Sequence, residues 1–249
     1  MSKGSRQSGY GDFAEAYDAL TFNVPYDEIA KYYNEILCGL TNGKRLLDMG
    51  CGTGNLTVRM AKTGYDVIGQ DASAEMLTIA SNKSSKIRWI CQNMAYTELA
   101  APVDVIISTL DSINHLQSAE EMEKCFRSAA RNLEKGGIFA FDVNTIYKHR
   151  EILGSNTFVY DVDGVYCVWQ NEFDPNDNGV NIELDLFFED DEGVYVRGYE
   201  SFREVAVSES ELRCMLENSG FQIVEILEYL THSIPDDKSE KLLIVAKKL

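Results

Sequence analysis

A glycine-rich segment near residue 50 is the part of the sequence with the clearest potential for chemistry. Residues 46–56 read Leu-Leu-Asp-Met-Gly-Cys-Gly-Thr-Gly-Asn-Leu, so Asp48 is followed by Gly50, Gly52 and Gly54 at intervals of two. Glycines at this spacing permit a tight turn and let a ligand approach the main chain closely. A helix that begins after them would offer free N–H groups to that ligand. The segment therefore predicts a small-molecule site where a strand turns into a helix.

The glycine spacing argues against two common phosphate-binding loops. A dinucleotide loop, Gly-x-Gly-x-x-Gly, needs its third glycine at position 55 or 57, and the sequence has Asn55 and Thr57 there. A P-loop needs a Gly-Lys-Ser/Thr end, and no lysine follows Gly54. The carboxylate of Asp48 would also repel a pyrophosphate, whereas it suits a ligand with a positive charge.

Three further groups of polar and apolar candidates follow later apolar runs of the chain. They are Asp71, Ala72 and Met76 after the second run, Asn93 and Met94 after the third, and Leu110, Asp111 and His115 after the fourth. In an open α/β sheet, ligands bind beyond the carboxyl ends of the strands. These residues should therefore lie together with the glycine-rich segment.

The elements that position these candidates alternate between strand-like and helix-like patterns. Helices are predicted at 11–20 and 26–40, then at 54–62, 73–82 and 119–134, with Gly136-Gly137 ending the last of them. Between them, strands are predicted at 45–49, 66–69, 87–91, 103–108 and 138–143. This alternation predicts βαβ units and a parallel sheet that is buried on both faces.

Residues 156–206 show a different pattern. Apolar and polar residues alternate between Val180 and Phe188, and Gly, Asp and Pro clusters separate the runs, so four antiparallel strands are predicted at 157–162, 165–173, 180–189 and 194–206. A helix capped by Ser208 and Glu211 follows, and then strands at 222–229 and 241–247 that should form a terminal antiparallel hairpin.

Composition limits the classes of function. The 249 residues include 23 Lys+Arg and 40 Asp+Glu, a formal charge of −17, which disfavours nucleic acids and anionic membranes as partners. The six cysteines form no Cys-x-x-Cys pair, so no metal site is expected. A polar start and the absence of an apolar run near ~20 residues predict neither a signal peptide nor a membrane helix. We expect a cytoplasmic protein, either a monomer or a homodimer.

Taken together, these segments resemble the class I S-adenosylmethionine-dependent methyltransferases. The acidic residue and glycines at 48–54 look like the first motif of that family, and Asp71, 23 positions after Asp48, is similar to the acidic residue that holds the ribose hydroxyls. Asn93 stands where the family's adenine-edge motif usually has Asp. Residues 103–108, 133–139 and 220–221 also match, and the resemblance covers about 10–150 and 207–247.

The resemblance implies a fold and a cofactor. The fold is α/β, a Rossmann-like seven-stranded and mostly parallel sheet with a terminal antiparallel hairpin, plus a small antiparallel β insert. Residues 1–155 and 207–249 would form the core, with a helical lid at about 10–40, and residues 156–206 the insert that covers the acceptor site. The implied S-adenosylmethionine-binding residues are Tyr17, Asp48, Gly50, Cys51, Gly52, Gly54, Asp71, Ala72, Met76, Asn93, Met94 and Leu110; Tyr10 and Phe13 resemble part of the lid.

The implied reaction is an in-line transfer of a methyl group to O or N of a small molecule. The protein must orient the reacting atoms and exclude water, and it needs a base only when the acceptor arrives protonated. His115 is the leading candidate for that base and Asp111 its acidic neighbour; Asp111 could instead orient a substrate or cap the segment from Ser112. His149 and His232 are predicted at the surface.

The sequence of the insert does not identify the chemical class of the methyl acceptor. Arg197 and Arg203 are predicted to form cross-strand ion pairs rather than to bind an anionic substrate. A group of aromatic rings at the site would favour an amine acceptor, and a pair of free arginines an acid. Two other functions remain possible: a regulatory or assembly protein that binds S-adenosylmethionine without transfer, and an NAD-dependent oxidoreductase, which the glycine spacing disfavours.

Overall fold

The computed structural model describes residues 11–190 and 192–249, with side chains described from residue 13 onward. Tyr10, part of the predicted lid, lies outside the described residues. The helices are α1 (Gly11–Leu20), α2 (Tyr26–Cys38), α3 (Asn55–Lys62), α4 (Ala74–Lys83), α5 (Ala119–Asn132) and α6 (Glu209–Asn218). The strands are β1 (Arg45–Met49), β2 (Asp66–Asp71), β3 (Arg88–Cys91), β4 (Val103–Ser108), β5 (Leu133–Asn144), β6 (Thr157–Val162), β7 (Val165–Asp174), β8 (Gly179–Glu189), β9 (Tyr195–Val205), β10 (Phe221–Glu228) and β11 (Lys241–Lys248).

The larger sheet has seven strands in the order β10-β11-β5-β4-β1-β2-β3. The pairs among β5, β4, β1, β2 and β3 are parallel, while β11 runs antiparallel to both β5 and β10. One apolar cluster joins this sheet to α5 and α6, and a second joins it to α2 and α3. The predicted α/β Rossmann-like fold with its terminal hairpin is therefore confirmed.

The second sheet is a four-stranded antiparallel meander in the order β6-β7-β8-β9. Its strands follow the predicted ones to within two residues. One face packs into a third apolar cluster that includes Ile182 and Leu184 of β8 as well as Ala16 of α1 and Leu153. Helix α1 thus packs against the apolar face of the meander.

The end of α5 differs from its prediction. The helix ends at Asn132, whose Nδ2 donates to the carbonyl oxygen of Thr97 at 2.8 Å, and β5 runs through Gly136 and Gly137. The register between β4 and β5 shifts there, and a Cβ on Gly137 would lie 3.0 Å from the carbonyl oxygen of Asp104. The glycines form a bulge against β4, because a side chain does not fit at Gly137 and Gly136 has a φ of 76°, so they do not terminate the helix.

No helix in the described part of the chain is long and apolar enough to cross a membrane.

Candidate functional site

The glycine-rich segment forms the turn from β1 into α3. Gly50, Gly52 and Gly54 have φ of 79°, 52° and 76°, a backbone conformation that favours glycine. A Cβ on Gly50 would lie 2.7 Å from Ser112, and one on Gly54 would lie 2.6 Å from Trp89. A Cβ on Gly52 would meet only the Tyr17 ring, at 4.0 Å. Two of the glycines thus permit close packing, and the third faces open space beneath Tyr17.

Asp71 lies beside this loop at the end of β2. Its Oδ2 accepts a hydrogen bond from the Gly52 N–H at 2.8 Å and its Oδ1 accepts one from the Ser73 N–H at 2.9 Å. Each carboxylate oxygen has a second lone pair. The side chain is therefore held in place by the main chain and keeps the capacity to accept from a ligand's hydroxyl groups.

Asp48 is almost completely buried behind the loop. Its Oδ2 accepts from the Thr57 hydroxyl at 2.6 Å, while its Oδ1 makes no hydrogen bond to the described residues. Burial raises the pKa of Asp48 to about 7, and nearby Asp71 adds to this effect while the Thr57 hydrogen bond opposes it. A positively charged ligand group beside Asp48 would stabilise its ionised form.

Helix α1 covers the loop from the other side. Asp18 accepts from the Thr53 hydroxyl at 2.6 Å and from Asn55 Nδ2 at 2.9 Å, and it forms an ion pair with Lys83 at 2.6 Å. Burial raises the pKa of the adjacent Tyr17 well above its ordinary value, and the neighbouring Tyr26, Asp111 and Asp71 add to this. A cleft lies between the loop, Tyr17, Tyr26, Thr109, Leu110 and Ser112.

The remaining residues predicted from the resemblance lie around the same edge of the sheet. Met76 is buried, Ala72 is exposed, and burial raises the pKa of Cys51 in the loop. The exposed Asn93 uses its Oδ1 to accept from the Ala95 N–H at 2.8 Å, which caps a short helical turn. Met94 follows in that turn, and its Cε lies close to Gly50. The structure thus brings the loop, Asp71 and the residues after β3 together.

A strained turn follows β4. Leu110 and Asp111 have φ of 55° and 57°, although neither is glycine. The fully buried Asp142 at the end of β5 holds both residues, because its two oxygens accept from the Leu110 and Asp111 N–H groups at 2.8 Å each. Asp142 is not among the site residues predicted from the sequence, although its position near the end of a buried apolar strand is a signal for one.

Asp111 is not paired with His115. Its Oδ1 lies 3.2 Å from Lys241 Nζ, and its Oδ2 accepts from Asn144 Nδ2 at 2.7 Å. Burial alone would raise the pKa of Asp111, but the ammonium groups of Lys241 and Lys148 outweigh it and hold the pKa well below its usual value. Asp111 is therefore an ionised partner of Lys241, and its side chain does not cap the turn at Ser112.

His115 lies at the end of the short turn Ser112–His115, and 44% of its side chain is exposed. Its Nε2 is 3.9 Å from Glu204 Oε1 on β9, and its ring lies 5.0 Å from the Phe202 ring. Phe202 in turn contacts Phe13 at 5.8 Å, and Phe13 contacts Tyr17 at 5.5 Å. A row of four rings therefore runs from the glycine-rich loop to His115.

The prediction that His149 lies at the surface is wrong. Its side chain is completely buried, its Nδ1 is 2.9 Å from the Asn178 carbonyl oxygen, and its Nε2 is 3.3 Å from Glu204 Oε2. His149 belongs to a widened helical turn, Lys148–Leu153, which turns the ring inward. Neither a helical nor a strand period in the sequence reveals such a turn. His232 is exposed, as predicted.

The two arginines of the insert form the predicted ion pairs. Arg197 contacts Asp185, and Arg203 contacts Asp174 and Asp177. Neither guanidinium is left without a carboxylate partner, so they offer no pair of free cations for an acidic ligand.

Comparison with known proteins identifies the family. A family model described as a methyltransferase domain matches residues 46–137. A protein of Geobacillus sp. (strain WCH70), named "Putative methyltransferase", is 33% identical over 245 residues, which cover 96% of this chain and 99% of the relative. The chain belongs to the class I S-adenosylmethionine-dependent methyltransferases.

Solved structures agree with this methyltransferase assignment. An S-adenosylmethionine-dependent methyltransferase from Clostridium acetobutylicum ATCC 824 has a TM-score of 0.85 and 29% identity, over 96% of this chain and 98% of that one. DesVI of Streptomyces venezuelae has a TM-score of 0.79 at 20% identity, over 98% of this chain and all of that one, and shows the shared fold. The S-adenosylmethionine assignment replaces the alternative of an NAD-dependent oxidoreductase.

The site of this methyltransferase fits S-adenosylmethionine chemically. Gly52 leaves open space beneath Tyr17, and Asp71 keeps lone pairs for hydroxyl groups. The buried Asp48 Oδ1, which has no partner among the described residues, matches a cofactor that carries positive charge. The chain thus provides a cradle, a hydroxyl acceptor and an acidic group at one edge of the sheet.

Proposed function

We propose that this methyltransferase transfers a methyl group to N or O of a small molecule, and that an amine is its favoured acceptor. The row of rings formed by Tyr17, Phe13, Phe202 and His115 carries this proposal. Aromatic faces attract a cationic amine, whereas the arginines of the insert are already paired with carboxylates. KedS8 of Streptoalloteichus sp., a sugar N-methyltransferase that shares the fold at a TM-score of 0.76 and 17% identity, acts on nitrogen.

The cofactor would lie along the carboxyl ends of β1 to β4. Asp71 would accept from the ribose hydroxyls, and the side chains of Ala72, Met76, Asn93 and Met94 would surround the adenine. Asp48, Tyr17, Leu110 and the glycine-rich loop with Cys51 would hold the amino-acid end. When bound, S-adenosylmethionine supplies a methyl group made electrophilic by its sulfonium sulfur.

The protein's own contribution would be positioning, exclusion of water and removal of one proton. Helix α1, through Asp18 and Tyr17, covers the cofactor loop, and β9 places Phe202 against both α1 and His115. An amine that arrives as an ammonium ion has no lone pair for attack. His115 would take that proton, and the exposed part of its ring would return it to water.

A panel of small amines, alcohols and carboxylic acids, each incubated with S-adenosylmethionine, tests this proposal. We expect methyl transfer to amines, and Phe202→Ala should raise the KM for the amine while leaving the affinity for S-adenosylmethionine unchanged. The matched control is Phe187→Ala, which removes the same side chain from the opposite face of the same sheet.

Three results would count against the proposal. Transfer to acids but not to amines would contradict the favoured acceptor. Equal effects of the Phe202 and Phe187 variants would remove the aromatic row from the acceptor site. Binding of S-adenosylmethionine with no transfer to any class, or to any small molecule in a metabolite extract, would favour the regulatory or assembly role instead.

A further inference from the structure

The buried imidazole of His149 makes two polar contacts. Its Nδ1 lies 2.9 Å from the carbonyl oxygen of Asn178. A carbonyl oxygen only accepts hydrogen bonds, so Nδ1 must carry a hydrogen. Its Nε2 lies 3.3 Å from Oε2 of Glu204 and has no hydrogen-bond partner elsewhere in the described part of the chain. In a neutral ring, Nε2 would therefore present a lone pair to a carboxylate oxygen.

Glu204 cannot turn that oxygen away from His149. Its side chain is 4% exposed, and Oε2 also accepts from Asn144 Nδ2 at 3.0 Å. Two lone pairs that face each other in a buried site are strongly unfavourable, because no water is present to separate them. A proton must therefore lie between His149 Nε2 and Glu204 Oε2.

The charges around this pair account for one additional proton. The buried network contains three carboxylates and two ammonium groups, which are Asp111, Asp142, Glu204, Lys148 and Lys241. Lys241 Nζ lies 3.2 Å from an oxygen of each aspartate, and Lys148 Nζ donates to Asn144 Oδ1 at 3.0 Å. One proton shared by His149 and Glu204 makes the network neutral, whichever of the two groups carries it. Imidazole is a stronger base than a carboxylate, so the proton resides on Nε2 of His149.

The second oxygen of Glu204 faces His115. Glu204 Oε1 lies 3.9 Å from His115 Nε2, so one carboxylate on β9 lies between two imidazole rings. A hydrogen on Nε2 of His115 would point toward that oxygen, whereas a lone pair there would be repelled by it. This arrangement favours the tautomer of His115 that carries its hydrogen on Nε2 and its lone pair on Nδ1.

We propose that Glu204 is the positioning residue of His115. The proton shared with His149 and the hydrogen bond from Asn144 fix Oε2 of Glu204. Oε1 of Glu204 then keeps the ring hydrogen of His115 on Nε2. The part that concerns proton transfer rests on the proposed function. An N–H proton of the acceptor's ammonium group would move to Nδ1 of His115, and the N–H bonding pair would become the free lone pair of the amine. When bound, S-adenosylmethionine would supply the methyl group to that lone pair, and the electron pair of the broken carbon–sulfur bond would stay on its sulfur. The imidazolium formed lies beside Glu204 and later releases a proton to water.

The test is the protonation state of the ring nitrogens, measured by ¹⁵N–¹H NMR on the full chain without any acceptor. The chain has three histidines, so single His→Gln variants assign the signals. In the wild type we expect hydrogens on both ring nitrogens of His149 and the Nε2–H tautomer at His115. The exposed His232 serves as an internal reference.

Glu204→Gln keeps the shape of the side chain and removes its charge. We expect His149 to lose its Nε2 hydrogen, because the uncharged side chain no longer stabilises an imidazolium, and His115 to shift toward the tautomer mixture of His232. The matched control is Glu183→Gln, an exposed position of the same sheet, which should give the wild-type spectrum.

A bare His149 Nε2 in the wild type, or a His115 tautomer that is unchanged in Glu204→Gln, would overturn the inference. A second readout separates this failure from failure of the proposed function. If the spectra are as expected but no amine is methylated, the amine proposal fails while the role of Glu204 in setting the His115 tautomer stands. If amines are methylated but the spectra of Glu204→Gln match those of the wild type, the proposed role of Glu204 fails while the amine proposal stands.

Discussion

Asp71 and Asp48 are two aspartates near the glycine-rich loop that lie in different surroundings. Asp71 lies at the end of β2, partly open and held by two main-chain N–H groups, while Asp48 lies behind the loop with one oxygen that has no partner among the described residues. The first is suited to accept hydrogen bonds from a ligand. The second is suited to respond to the charge of a ligand, because burial makes its ionised form costly.

Asp71→Ala should weaken S-adenosylmethionine binding by about 1–3 kcal/mol, since it would leave buried hydroxyl groups of the ligand without an acceptor. Isothermal titration calorimetry measures this change directly. Asp66→Ala is the matched control, because Asp66 is an exposed residue at the other end of the same strand. Wild-type affinity in the Asp71 variant would remove this residue from the cofactor site.

Asp48 should make stability depend on pH. Its pKa is 3.8 in the unfolded chain and about 7 in the folded one, so between these values the folded state holds a proton that the unfolded state has released. The free energy of unfolding due to this group therefore falls as pH rises from about 4 to about 7, by up to ~1.4 kcal/mol per pH unit.

Asp48→Asn removes that titration. Denaturant unfolding of the ligand-free protein at several pH values should show the variant gaining stability relative to the wild type across this window. The difference should level off above it. A difference that does not change with pH would contradict the raised pKa.

At the scale of secondary structure, two contacts fix the site between elements that are distant in sequence. Asp142 at the end of β5 holds the strained turn after β4, and Asp18 on α1 holds the side chains of Thr53 and Asn55 at the start of α3. In the first contact the Asp142 side chain is fully buried. In the second, 40% of the Asp18 side chain is exposed, so this contact opens more easily than the first.

Asp18→Ala should loosen α1 from the loop. Because exposed ion pairs contribute little to stability, the free energy of unfolding should change by less than about 1 kcal/mol. S-adenosylmethionine should dissociate faster, and hydrogen exchange in α1 should increase. Stopped-flow fluorescence and exchange mass spectrometry measure these effects, with Glu28→Ala on α2 as the control. Unchanged dissociation together with unchanged exchange would show that this contact does not hold α1.

The order and type of the elements were predictable from the sequence because each has a local signal. Ser208 caps α6 as predicted, Ser73 and Ser118 cap α4 and α5 in the same way, and the alternation from Val180 to Phe188 predicts β8. The contacts of Glu204 and His149 were not predictable, since they depend on how β9 lies against the turn after β5. Local patterns also misplaced the end of α5, because Gly136 and Gly137 form a bulge of β5 against β4 and do not end the helix.

At the scale of the whole molecule, the meander and the larger sheet meet across a polar network as well as through apolar contacts. Glu204 of β9 contacts Asn144 of β5 and both His115 and His149, while Phe202 reaches α1 through Phe13. The meander therefore contributes side chains to the proposed acceptor site. The net charge of −17 fits a neutral or cationic acceptor better than a polyanion.

A labelled methyl group would show directly whether this methyltransferase acts on a small amine. The wild type would be incubated with methyl-labelled S-adenosylmethionine and a bacterial extract divided into small molecules, proteins and nucleic acids. We expect label in an amine of the small-molecule fraction, and loss of that label with His115→Ala while S-adenosylmethionine still binds. Label that enters only proteins or nucleic acids, or transfer that is unchanged in His115→Ala, would contradict the proposed function.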